Sequence, residues 1–179
     1  MSSSNNANTP ESAANVSVVI GLNNPKSPTN VGSVMRAMRC FSGDAVVYTG
    51  QRYDKAVKFQ TDTKQEIGDI SLSRVDCLLE AKPEGAAMVC VELCEGAISL
   101  PEFEHPQNAY YVFGPEDGSV SQKLVNQADA VVYIPTQGCL NLAATVNVVL
   151  YDRQAKLGAA EQGDELVCRS RDKNNRLRV

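Results

Sequence analysis

One histidine occurs in the 179 residues of this chain. A zinc site with two histidine ligands and a Ser-His-Asp triad would each depend on that single side chain, His105, which stands in a loop-like stretch between Glu104 and Pro106. No metal is therefore expected. No apolar run approaches the ~20 residues of a membrane span, and the first fifteen residues, MSSSNNANTPESAAN, have neither the basic start nor the apolar core of a secretory signal. That leader reads as a disordered tail, and the expected location is cytoplasmic, with no membrane partner. Glycine fingerprints for nucleotides are missing too. No two glycines are separated by one residue and no glycine precedes a lysine, which excludes both GxGxxG and the P-loop GxxxxGK[ST].

What is present suits one globular domain. Six cysteines (40, 77, 90, 94, 139 and 168) are spread through apolar stretches, a pattern of reduced thiols more than of a disulfide framework. The formal net charge of -4 conceals a segregation. Residues 26–64 hold seven Lys/Arg against three Asp, residues 65–168 hold five basic and sixteen acidic side chains, and RSRDKNNRLR (169–178) holds five basic residues and one Asp. An anion can meet two basic ends of an acidic chain; the same pattern also fits solvated surface with a solubilising tail.

Short β-branched runs alternate with helical patterns. Strands are predicted at 16–22, 44–50, 86–93, 109–114 and 129–135. Helices are predicted at 29–41, 72–82, after Ser119 with Gln122 as a capping box, and from Asn141 to a terminating Gly158. Residues 51–64 read as loop with one helical turn, and 95–108 as loop. The alternation predicts an α/β domain with a mainly parallel sheet flanked by helices. In such sheets ligands sit outside the carboxyl ends of the strands, so the loops after Leu22, Leu93, Phe113 and Ile134 are the candidate site. Two of them, FGPEDG and IPTQGCLN, combine glycine, proline and polar residues directly after apolar strands, as tight turns do and as loops with amides exposed to a ligand also do.

In the helix at 29–41, Val31, Val34, Met35 and Met38 follow the i, i+3, i+4, i+7 spacing of a buried face. Arg36 and Arg39 fall off that stripe, and Asn30 is placed to cap the helix or hold the loop before it.

Three blocks in order, NPKSPTNVGSVMRAMRCF, YYVFGPEDG and IPTQGCLNLAATVNVVLYDR, resemble the SPOUT superfamily of RNA methyltransferases, specifically its SpoU-like branch that methylates ribose 2′-hydroxyls. The resemblance implies an α/β fold with a C-terminal deep trefoil knot, S-adenosylmethionine as cofactor, tRNA or rRNA as substrate, and a homodimer. It implies catalytic roles for Arg36 and Asn30. It implies cofactor contacts from Glu92, Leu93, Gly114, Glu116, Ile134, Pro135, Thr136, Cys139, Leu140 and Asn141. Many relatives carry serine where this chain has Cys139, which puts any hydroxyl role there in doubt. Glu116 is expected either to offset cofactor charge or to bond a loop amide; Asn141 is expected to cap the last helix or to hydrogen-bond within the knot. Arg36, whose guanidinium is a poor base, is read as a clamp on phosphate and developing alkoxide, with the base role as the alternative. Arg39, Arg52, Lys55, Lys58 and Lys64 are candidate RNA contacts, or else a solvated loop. The expected layout is a leader at 1–15, the methyltransferase domain at 16–158 and a basic tail at 159–179. The alternative function is a non-catalytic RNA-binding or assembly factor that keeps the fold.

Overall fold

Burial on both faces accounts for the two most apolar strands. The computed structural model describes residues 17–58, 70–158 and 160–179; the leader and Lys64 lie outside the described residues. Its strands are β1 (Val18–Leu22), β2 (Ala45–Tyr48), β3 (Ser71–Arg74), β4 (Ala87–Val91), β5 (Ile98–Ser99), β6 (Ala109–Phe113) and β7 (Ala130–Tyr133). They form one sheet in the order β3-β2-β1-β6-β4-β7-β5, and every pairing is parallel. Central β1 and β6, paired from Val18–Ala109 to Leu22–Phe113, are buried at all five positions, as a parallel sheet covered on both sides demands.

The pleat of β6 divides the core. Tyr111 and Phe113 enter the cluster beneath helices α1 (Pro28–Cys40) and α4 (Leu142–Leu157), whereas Tyr110 and Val112 enter the opposite one with Leu78 and with Leu124 of α3 (Gln122–Gln127). The stripe Val31, Val34, Met35, Met38 is buried as expected, and Arg36 and Arg39 face solvent. Helix α2 (Arg52–Lys58) is tied to the sheet edge by Asp54, whose carboxylate accepts from Tyr48 Oη (2.5 Å) and Arg74 Nη1 (3.0 Å).

Several expectations are corrected. Residues 72–82 are not a helix: β3 pairs with β2 over 71–74, and 77–81 form a turn. The apolar residues there have helical spacing, but β3 is a sheet edge held by backbone bonds, with no residue fully buried, so it lacks the alternation that marks a strand. The α3 cap is Ser121, whose Oγ accepts from Leu124 N, because Ser119 is drawn into the loop after β6. A two-residue β5 and a 3-10 turn (Leu100–Glu102) lie in the stretch read as loop. In the expected tail, α5 (Asp164–Ser170) forms without burying any residue.

One polar cluster fixes the far end of α4. His105, Tyr111, Asp152, Arg153 and Lys156 join the 100–107 segment to that helix: Lys156 Nζ donates to Phe103 O (3.0 Å), and Arg153 donates to the carbonyls of Pro106 and Gln107.

Candidate active site

Strands β4, β6 and β7 end at one level, with Val91 paired to both Phe113 and Val132. The chain leaving each strand enters a polar loop, and the three loops with the start of α1 border a cavity of about 530 Å³. That volume falls within the ~300–1,000 Å³ of small-molecule sites. Glu92, Leu93, Gly114, Glu116, Ile134, Thr136, Cys139, Leu140 and Asn141 line it, as does Asn30. Pro135 belongs to the same loop without being among the lining residues. Tyr133, which the sequence does not single out, also lines the cavity; its position as the last residue of β7 was the available signal.

The loop after β6 folds back tightly. A Cβ on Gly114 would stand 3.0 Å from Val120 N and 3.2 Å from Ser119 C, both backbone atoms, so any side chain there would push the returning backbone outward by a few tenths of an ångström. Glu92 completes the turn: Oε2 accepts from Val120 N (2.8 Å) and Oε1 from Leu93 N (3.0 Å). Thr136 closes the last loop similarly, donating to Gly138 O (2.7 Å).

Glu116, Asn30 and Asn141 together join three sequence-distant segments. The Glu116 carboxylate accepts from Lys26 N (2.8 Å), Ser27 N (2.9 Å) and Asn30 Nδ2 (3.0 Å). Asn30 Oδ1 in turn accepts from Asn141 Nδ2 (2.8 Å), and Asn141 Oδ1 caps α4 by accepting from Ala143 N (2.9 Å) and Ala144 N (3.2 Å). Partial burial pushes the Glu116 carboxyl up, but the bonds from Asn30 and from the Ser27 and Lys26 amides outweigh it and hold the group below its ordinary value. The carboxylate is thus a fixed negative charge beside the cavity. Asn30 is not the cap of α1; Ser27 is, accepting from Asn30 N at 3.3 Å with Pro28 following in the first turn.

Cations stand outside the cavity. Arg36 lies six residues beyond Asn30, about 9 Å along the helix axis, on the solvent side of α1. Arg39, Lys55 and Lys58 are also exposed. Arg52 is paired within the fold: its Nη2 reaches both oxygens of Asp117 (2.8 and 2.7 Å), in the loop after β6, and Lys26 Nζ lies 3.6 Å from the same carboxylate. The Arg52 hydrogen bond holds the Asp117 carboxyl below its usual range. Among the described residues, no group of three or more His, Cys, Asp or Glu is placed to hold a metal ion, and no helix is long and apolar enough to cross a membrane.

Comparison with known proteins adds the following. The family model described as the SpoU rRNA Methylase family matches residues 17–151. The chain is similar to the tRNA (guanosine(18)-2'-O)-methyltransferase TARBP1 of Mus musculus, 25% identical over 146 residues, which cover 75% of this chain and 9% of that protein. It is similar to the tRNA (cytidine-2'-O-)-methyltransferase TrmJ of Methanocaldococcus jannaschii, 27% identical over 160 residues, covering 79% and 69% respectively. Its fold is that of the A. aeolicus TrmH/SpoU tRNA modifying enzyme, with TM-score 0.68, 23% identity and coverage of 80% of this chain and 77% of that one. It is also that of the methyltransferase AviRb from Streptomyces viridochromogenes in complex with AdoMet, with TM-score 0.64, 19% identity and coverage of 82% and 60%. The chain therefore spans only a small part of the mouse relative.

Proposed function

We propose that this chain, which belongs to the SpoU rRNA Methylase family, is an S-adenosylmethionine-dependent methyltransferase acting on ribose 2′-hydroxyls of tRNA or rRNA. The observation that carries the reading is the Glu116–Asn30–Asn141 joint, which draws three distant segments around one cavity of nucleotide size. The residues fit the cofactor. Leu93 and Leu140, unusually exposed at 52% and 41%, offer apolar faces to a purine together with Ile134, and the fixed charge of Glu116 suits a cationic ligand. Cys139 lines the cavity, and contacts there need only its backbone. When bound, the cofactor supplies an electrophilic methyl on a sulfonium.

Transfer to a hydroxyl is an in-line displacement, so alignment dominates. Asn30 has both ends of its amide engaged; it serves by holding the first turn of α1 against the cavity. Arg36 clamps the phosphate beside the target ribose and stabilises the alkoxide as it forms.

The finer points of architecture belong to the same proposal. Strand β7 lies between β4 and β5, which residues 92–97 join directly, and this strand order supports the proposed trefoil knot. Helix α4 buries Val146, Val149 and Leu150 yet leaves Val148 and Tyr151 at 39% and 67% exposure, an apolar second face that suits a homodimer. We assign residues 16–158 to the methyltransferase domain and 159–179 to an appended basic segment, in a cytoplasmic protein.

The test is tritiated methyl transfer to RNA from cells lacking the gene, with ribose-methylated nucleoside as the expected product and a loss of about 100-fold in Arg36→Ala. Absence of cofactor binding by calorimetry sinks the reading. Tight cofactor binding without any methylated RNA points to the non-catalytic factor, and a base-methylated product reassigns the target atom.

A further inference from the structure

We propose that residues 169–178 form a docking surface for the phosphate backbone of RNA, supplying a large share of the non-specific affinity that the methyltransferase body lacks. The inference rests on the RNA-modifying reading above.

The first ground is electrostatic accounting. Between residues 65 and 168 the chain carries sixteen acidic and five basic side chains, a field that repels a polyanion within the ~10 Å screening length of 0.1 M salt. Capture then falls to the two basic segments. In the first, the fold engages part of the charge: Arg52 and Lys26 both face Asp117, leaving Arg36, Arg39, Lys55 and Lys58 as its exposed cations outside that pairing among the described residues. Two of these stand on α1 and two on α2.

The second segment is arranged differently. Helix α5 buries nothing, so its sequence is not explained by the core. Beyond it the chain folds back on itself: Arg171 Nη1 donates to Leu177 O (3.3 Å), and Asn175 N donates to Asp172 O (2.9 Å). Arg169, Arg171, Lys173, Arg176 and Arg178 thereby border one concavity of about 400 Å³. Arg169 is paired with Glu161 at 2.6 Å. Lys173, Arg176 and Arg178 form no ion pair among the described residues, so three unpaired cations share a hollow whose lining holds a single carboxylate, that of Asp172. Closely spaced Lys and Arg in excess over carboxylate, without interleaved aromatics, match repeated phosphates, not stacked bases.

The experiment uses the full chain and K173Q/R176Q/R178Q, with fluorescently labelled total tRNA read by anisotropy across a salt series and cofactor affinity read by calorimetry. The triple variant is expected to lose at least about tenfold in RNA affinity, and its slope of log K against log salt to become shallower by about 2, at ~0.7 for each phosphate contact. Cofactor affinity stays unchanged, and R176K/R178K retains RNA binding. Unchanged RNA affinity and slope in the triple variant, alongside a wild type that methylates RNA, overturn this proposal alone. A wild type that binds no cofactor overturns the functional reading instead. Loss of binding to anionic phospholipid vesicles with RNA affinity intact assigns the surface to a membrane and likewise overturns the proposal.

Discussion

Polar side chains hold helix α4 at both ends, and the two sets differ in how they meet solvent. At the N-terminal end Asn141 is exposed and Asn30 and Glu116 half-buried, linked by single hydrogen bonds across separate loops beside a cavity. At the other end the His105 side chain is 0% exposed and Arg153 is buried at 5%. There the partners fix the chemistry of each atom. The Asp152 carboxylate can only accept, so His105 Nε2–H donates to it (2.8 Å), and Nδ1 accepts from Tyr111 Oη (2.6 Å). One set leaves room for a ligand, whereas the other is closed. Damage at the first should therefore appear in function, and damage at the second in stability.

The largest expected effect belongs to the closed set. Arg153→Ala removes the donors to the Pro106 and Gln107 carbonyls and to Tyr111 Oη (3.4 Å) and strands buried acceptors. A loss of about 3 kcal/mol is expected, lowering the melting temperature by roughly 6–12 °C for a domain of this size, while methyl transfer by the folded protein at 25 °C stays within about threefold. A large loss of activity with unchanged melting would erase the distinction between the two ends.

Next comes the open set. Glu116→Gln places an amide NH2 among donors that need an acceptor, the Ser27 and Lys26 amides and Asn30 Nδ2. Cofactor affinity is expected to fall about 30-fold, near 2 kcal/mol, with a smaller change in melting than Arg153→Ala produces. Calorimetric titration of the cofactor together with a thermal melt checks both halves of that statement.

How much of this was legible beforehand follows the range of the interactions. The buried stripe of α1, the glycine at 114 and the loops after β4, β6 and β7 announce themselves locally, through periodicity and punctuation. Asn30 with Asn141 and His105 with Asp152 are bonded across 111 and 47 residues, and no local pattern encodes such partners. Ser27 and Asn30 are both good caps; Pro28, favoured in the first helical turn, was the feature that decided between them. Strand β3 stayed hidden because an edge strand needs backbone partners more than an apolar face.

A pH series separates the ends more gently. Burial pushes the His105 imidazole down, more than the hydrogen bond and charge of Asp152 raise it; Lys156 and Arg153 also lower it. The folded-state value is thus below the unfolded ~6.5, and the unfolded chain takes up the proton first. Stability from this group is whole above about pH 6.5 and declines as pH falls through the folded value. Melting temperature should drop between pH 7.5 and 5.5, and the drop should shrink in His105→Gln; an identical pH slope in that variant would remove His105 as its source.

The smallest effect sharpens the comparison from the site side. Arg52 reads from sequence as an RNA contact, but its guanidinium lies on Asp117, two residues past Gly118's loop partner Pro115 and adjacent to Glu116. An ion pair this exposed contributes little, so Arg52→Ala should raise the KM for cofactor only roughly threefold, through a looser 114–118 loop. If Arg52 acts through Asp117, Asp117→Asn reproduces that increase and the double variant adds little to it, while the KM for RNA barely moves. A rise confined to the KM for RNA, with cofactor binding unchanged, would return Arg52 to the RNA surface and leave the joint at Glu116 to hold the loop without it.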